Sequence, residues 1–99
     1  MSKRVLVVDN EPDLVTLVES RLNSKGYEVV TAYSGAEGLE KCKRLRPDAV
    51  VLDIMMPGIE GSTMATQMKE DPNTCQIPII LLTAIKLVFS LYKYGSWSP

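Results

Sequence analysis

The sequence has no histidine. That excludes His-based triads, His-ligated zinc and phosphotransfer through a histidine on this chain. Only two cysteines occur, Cys42 and Cys75, and their isolation matches no metal-ligand spacing. They are expected to be reduced thiols of a cytoplasmic protein. Neither sign of charge is in excess: 11 Lys and Arg face 12 Asp and Glu, a net charge of −1, which argues against a direct nucleic-acid binder. No apolar run approaches the roughly 20 residues that span a bilayer. The opening Met1-Ser2-Lys3-Arg4 leads into Val5-Leu6-Val7-Val8, too short an apolar stretch for a signal peptide. With 99 residues, 45% of them hydrophobic and 23% charged, the chain has the composition of one small folded domain rather than of a disordered segment.

Two periodicities alternate along it. Arg4 to Val8 is a continuous apolar run that ends at Asp9, as in a strand buried on both faces. Pro12 suits a first helical turn, and Leu14, Leu17, Val18 and Leu22 follow at helical spacing. Gly26 is expected to close that helix in a left-handed conformation. Glu28 to Ala32 is a second strand. Ser34 with Glu37 three residues on has the capping-box pattern, and Leu39, Cys42 and Leu45 mark the inner face of a second helix that Pro47 stops. Ala49 to Leu52 is a third strand, ending at Asp53. A third helix is expected over 62–70, with Met64, Ala65 and Met68 inward, broken by Asp71-Pro72-Asn73. Ile79 to Leu82 is a fourth strand, ending at Thr83. This alternation implies an α/β fold with a doubly wound parallel sheet. Residues 85 to 94 suggest a short helix, with a strand as the alternative; four of the six aromatics, Phe89, Tyr92, Tyr94 and Trp97, fall after residue 88.

In such a sheet, ligands sit beyond the carboxyl ends of the strands, near the switch in strand order. If the strands are neighbours, Asp9-Asn10-Glu11, Asp53 and Thr83 converge there. Clustered carboxylates favour a bound cation, and oxygen donors suit magnesium. A carboxylate beside such a cation can attack phosphorus to give an aspartyl phosphate, with the Thr83 hydroxyl donating to a phosphoryl oxygen. Each residue alone has a plainer reading: acids at strand ends are commonly turn formers or helix caps, and Thr83 suits a strand end as a β-branched residue.

The segments Val-Leu-Val-Val-Asp-Asn-Glu-Pro (5–12), Val-Val-Leu-Asp-Ile-Met-Met-Pro-Gly-Ile-Glu-Gly (50–61) and Pro-Ile-Ile-Leu-Leu-Thr-Ala (78–84) together resemble the receiver domain of two-component response regulators. The resemblance covers residues 3 to 84. It implies a flavodoxin-like sheet of order 2-1-3-4-5, and phosphoryl transfer from a histidine kinase or phosphotransfer protein. By it, Asp53 matches the phosphoacceptor, Asp9 the first of the acidic pair, Met55 the backbone carbonyl offered to Mg2+, Thr83 the switch hydroxyl and Ala84 the small residue beside it. Pro57, Gly58 and Gly61 shape the loop after the acceptor. Asn10 stands where the family usually has a magnesium-ligating acid, so the site loses one negative charge while keeping an amide oxygen. Glu11 is expected to act as a helix cap.

A second departure follows Ala84. The family continues with a helix, a fifth strand ending in Lys-Pro and a last helix, whereas only residues 85–99 remain, and no Lys-Pro pair occurs. No catalytic lysine is assignable; Lys86 and Lys93 do not stand at its position. The expected organisation is thus an incomplete receiver over 1–84, four strands in order 2-1-3-4 without the fifth strand and last helix, and a divergent tail over 85–99. Its sheet edge at 79–82 would be apolar and open to a homodimer. The expected role is a magnesium-dependent phosphoacceptor module, impaired by the truncation, that is itself no enzyme and contacts neither nucleic acid nor membrane. The alternative is a phosphorylation-independent interaction or dimerisation module. An aspartate-nucleophile hydrolase fits less well, because its usual second acid would stand at Met55.

Overall fold

A computed structural model describes residues 2–53 and 60–82. The elements run β1 (Arg4–Val8), α1 (Pro12–Ser24), β2 (Glu28–Ala32), α2 (Gly35–Leu45), β3 (Ala49–Leu52), α3 (Glu60–Glu70) and β4 (Ile79–Leu81). The strands form one sheet, order β2-β1-β3-β4, with every pairing parallel. Val8 pairs with Leu52 and Leu52 with Leu81, so the carboxyl ends of β1, β3 and β4 lie side by side.

The unbroken apolar runs of β1 and β3 follow from helices on both faces. Side chains alternate across a strand. Leu6, Val8, Val50 and Leu52 therefore pack with Cys42 of α2 and Met64 and Met68 of α3. Val5, Val7 and Val51 turn the other way, against Leu14 and Val15 of α1 and against Leu82. The chain is doubly wound, and its winding reverses between β1 and β3. Among the described residues no helix is long and apolar enough to cross a membrane.

Local signals account for most boundaries. Pro12 opens α1, and Gly26 has φ +92, the left-handed conformation expected of it. Glu11 occupies the N-cap position, and its carbonyl accepts from the Val15 N–H at 3.1 Å, but its side chain makes no cap hydrogen bond. Capping favours short side chains such as Ser or Asp, whose oxygen reaches the next turn directly. Arg46 ends α2 at φ 46, a left-handed cap in a residue with a Cβ. Pro47 explains why the helix stops there, since proline disfavours the α conformation in the residue before it.

Three expectations shift. Helix α3 begins at Glu60 rather than Ser62, so Gly61 is a buried residue of its first turn and not part of a loop. Strand β4 ends at Leu81, one residue early. The capping box at Ser34 is only half made: Ser34 Oγ accepts from the Glu37 N–H at 3.1 Å, but Glu37 Oε1 accepts from the Tyr33 N–H at 2.9 Å instead of from Ser34. Glu37 is also drawn to Lys41, 2.8 Å away. The break after α3 takes the expected form: Asp71 accepts through its side chain from the Asn73 N–H, and buried Thr74 Oγ1 donates to the Met68 carbonyl at 2.8 Å. Residues 83–99, with the tail helix expected there, lie outside the described residues.

The hydrogen bond from Lys41, then the Tyr33 N–H and the Lys41 charge, hold the Glu37 carboxyl below its ordinary value of 4.5. A carboxyl lowered in the folded state stabilises above its unfolded pKa, and that contribution is lost as pH falls through the folded one. The thermal midpoint of Glu37→Gln should therefore lie below that of the unaltered chain near neutral pH, and the gap should shrink below pH 4.5. The pair is partly exposed, so salt should weaken it too.

Candidate functional site

The reversal between β1 and β3 is where a doubly wound sheet opens a crevice at its carboxyl edge. Asp9 and Asp53 stand there, each one residue past the Val8–Leu52 pair. Their backbones are tied to neighbouring strands: the Asp53 N–H donates to the Val8 carbonyl at 3.1 Å, and the Asp9 N–H to the Ala32 carbonyl at 3.1 Å. Asp9 Oδ1 also accepts from the Asn10 N–H at 2.7 Å. Both acids are 0% exposed, and with Thr74 they are the buried polar or charged residues of the described chain.

Continuous apolar strands explain this burial. Each strand runs on through the core until its first polar residue, and that residue is the acid. Asn10 and Glu11 turn outward and are exposed. Strand β4 reaches the same edge, since the Leu82 N–H donates to the Leu52 carbonyl at 2.8 Å. The next residue, Thr83, lies outside the described residues, as do Met55, Pro57, Gly58 and Ala84. The structure thus brings Asp9 and Asp53 to one strand-end edge, with Asn10 exposed beside them.

Two like charges withdrawn from water on adjacent strands are costly, and a cation between them offsets that cost. Among the described residues no three Cys, Asp or Glu side chains gather as a metal-holding group, so the acidic donors here are a pair. Hard divalent cations that keep several waters are commonly held by one or two carboxylates. The donor set fits that kind of ion and lacks the nitrogen and sulfur ligands that zinc favours. The free thiol of Cys42 lies apart from the edge, in the core between α2 and the sheet, where burial above all and then the Asp71 charge push its pKa up. A raised pKa disfavours the reactive thiolate.

Glu37 and Lys41 have a role that the strand-and-helix pattern did not disclose: both bond the backbone at the end of β2. Their i, i+4 spacing was the available signal, but it points to a pair along the helix and not to a strand.

The family model of the response regulator receiver domain matches residues 5–94. Response regulator PleD of Caulobacter vibrioides is 45% identical over 85 residues, which are 86% of this chain and 19% of PleD. The N-terminal domain of a response regulator receiver protein from Methanoculleus marisnigri JR1 superposes with a TM-score of 0.76 at 39% identity, over 80% of this chain and 64% of that one. The receiver domain of sensor histidine kinase PA1611 from Pseudomonas aeruginosa PAO1, solved with a magnesium ion coordinated in its active site cleft, gives a TM-score of 0.76 at 27% identity, covering 82% of this chain and 66% of that one. The chain therefore spans a small part of PleD and just under two thirds of these solved chains.

Proposed function

We propose, for a chain that belongs to the response regulator receiver domain family, that Asp53 is a phosphoacceptor serving a two-component phosphorelay. The observation that carries this reading is the pair of buried acids, Asp9 and Asp53, at the carboxyl ends of adjacent parallel strands. A carboxylate oxygen of Asp53 attacks the phosphorus of a phosphohistidine on a kinase or phosphotransfer protein. The new O–P bond forms as the P–N bond breaks, and the imidazole nitrogen leaves with the electron pair and takes up a proton. The phosphoryl group stays on Asp53, so the chain is a substrate of the relay rather than an enzyme.

Magnesium, when bound, offsets negative charge shared between the carboxylates and the phosphoryl oxygens. Asp9 and Asp53 would hold it, with the Asn10 amide oxygen and the Met55 carbonyl as further ligands by family resemblance. The same resemblance assigns phosphoryl contact to the Thr83 hydroxyl and room for it to Ala84. The Asn10 N–H donates to the Asp9 carboxylate, and the Asp9 N–H ties the backbone to the Ala32 carbonyl. Incubation with acetyl phosphate and magnesium, followed by intact mass measurement, should show one added phosphoryl group; no gain rejects the proposal.

Asn10 sets the strength of the metal site. Asn10→Asp restores a negative charge at an exposed position, where a unit charge is worth about 2 kcal/mol against a divalent ion, so magnesium should bind roughly 30-fold more tightly by calorimetric titration. Unchanged affinity would remove Asn10 from the ligand set.

Ile80 and Leu81, 51% and 50% exposed on an end strand of the described sheet, favour a second reading as an interaction module. An apolar strand at an edge invites pairing with another chain. Sedimentation without any phosphodonor tests its dimerising form: a monomer at every concentration removes pairing with a second copy.

A further inference from the structure

The two ends of the described sheet differ. Strand β4 presents apolar side chains, whereas β2 carries a salt-bridged pair against its backbone. In β2, the Glu28 N–H donates to the Lys3 carbonyl and the Ala32 carbonyl accepts from the Asp9 N–H. The even-numbered residues therefore turn their backbone groups toward β1. By alternation, residues 29, 31 and 33 turn theirs to the side of the strand away from β1.

Two of those outward groups are filled from α2. Lys41 Nζ donates to the Thr31 carbonyl at 2.7 Å, and Glu37 Oε1 accepts from the Tyr33 N–H at 2.9 Å. Lys41 and Glu37 are joined at 2.8 Å. A residue of an added parallel strand would use this same carbonyl and this same N–H, one on each side of Ala32. An antiparallel addition would also need the Thr31 carbonyl. The ion pair thus stands in for the donor and acceptor of an absent neighbouring residue.

We infer that the Glu37–Lys41 pair is a side-chain plug that closes the outer edge of β2 against strand addition by another molecule. An unguarded edge is a template for pairing, and a lysine laid along it is one of the ways proteins blunt it. With the plug removed, the partner always available in solution is the same edge of a second copy, and a two-fold axis makes that pairing antiparallel. This inference is independent of phosphorylation at Asp53.

The test compares Glu37→Ala and the double variant Glu37→Ala/Lys41→Met with the unaltered chain. At concentrations where each variant is monomeric, amide exchange at Tyr33 should quicken by about tenfold relative to exchange at the Asp53 amide, as expected for loss of one hydrogen bond to a charged group. The Asp53 amide is donated to Val8, away from the plug, and corrects for any general loss of stability. The double variant should also sediment as a concentration-dependent dimer under conditions where the unaltered chain gains no mass. Glu40→Ala breaks the neighbouring helix pair with Arg44, at 2.9 Å, and serves as the control that should change neither readout. An unchanged Tyr33 to Asp53 ratio, unaltered sedimentation of the double variant, or an equal response in Glu40→Ala would each overturn the inference.

Discussion

Asp53→Asn is expected to take up no phosphoryl group under conditions in which the unaltered chain takes up one. An amide oxygen is a poor nucleophile toward phosphorus, so the loss should be complete within detection rather than partial. The substitution keeps the shape of the side chain and removes one of two buried acids at adjacent strand ends. Folding should survive, since the backbone hydrogen bond of residue 53 to Val8 does not involve the side chain. A circular dichroism melt run beside the mass measurement separates loss of the acceptor from loss of the fold. Asp9→Asn should act differently: it leaves the acceptor in place and weakens magnesium, so labelling should recover at higher magnesium concentration. A gain of mass in Asp53→Asn equal to that of the unaltered chain would mean that another residue is the acceptor.

Gly38→Ala should destabilise the fold although it exchanges a poor helix former for the best one. A Cβ at Gly38 would lie 2.8 Å from Met64 Sδ, 2.9 Å from Val8 Cγ2 and 3.1 Å from Met64 Cε. The methionine end can swing aside. Val8 cannot easily do so, being β-branched, fully buried and held in β1. The helix gains about 1 kcal/mol from alanine, whereas overpacking a tight core typically costs about 1–3 kcal/mol. The clash should win by about 1 kcal/mol, a large share of the stability of a domain this small. A lower urea midpoint at unchanged slope would show it. Val8→Ala removes the obstructing methyls, so in that background Gly38→Ala should become neutral or stabilising, a coupling of about 1 kcal/mol or more. If Gly38→Ala alone raises the midpoint, helix propensity has outweighed the contact. Val8 directly precedes Asp9, so the close approach of α2 also fixes the strand that carries the candidate site.

The strands were legible because burial on both faces forces a run of apolar residues, and a run has visible ends. Arg4–Val8, Glu28–Ala32 and Ala49–Leu52 stand where the pattern put them, and the two candidate acids are the residues at which the first and third runs stop. The left-handed Gly26 and the Ser34 cap were legible for a related reason, since both are chemical requirements of a helix end, satisfied within a few residues. The pattern starts helix α3 two residues late, because nothing local distinguishes a first turn containing Gly61 from a glycine-rich loop.

Periodicity alone leaves open which strands are neighbours; family resemblance implies the order 2-1-3-4, and strand pairing in the structure carries it. Only the tertiary structure decided that Glu37 turns from its own helix start to Tyr33, that Lys41 reaches Thr31, that Gly38 has no room for a methyl group, and that Thr74 is buried under the end of α3. Local sequence carries the pattern of burial, because alternation and helical spacing act between near neighbours. Contacts between segments far apart in the chain depend on how packed elements sit against one another, and no periodicity records that.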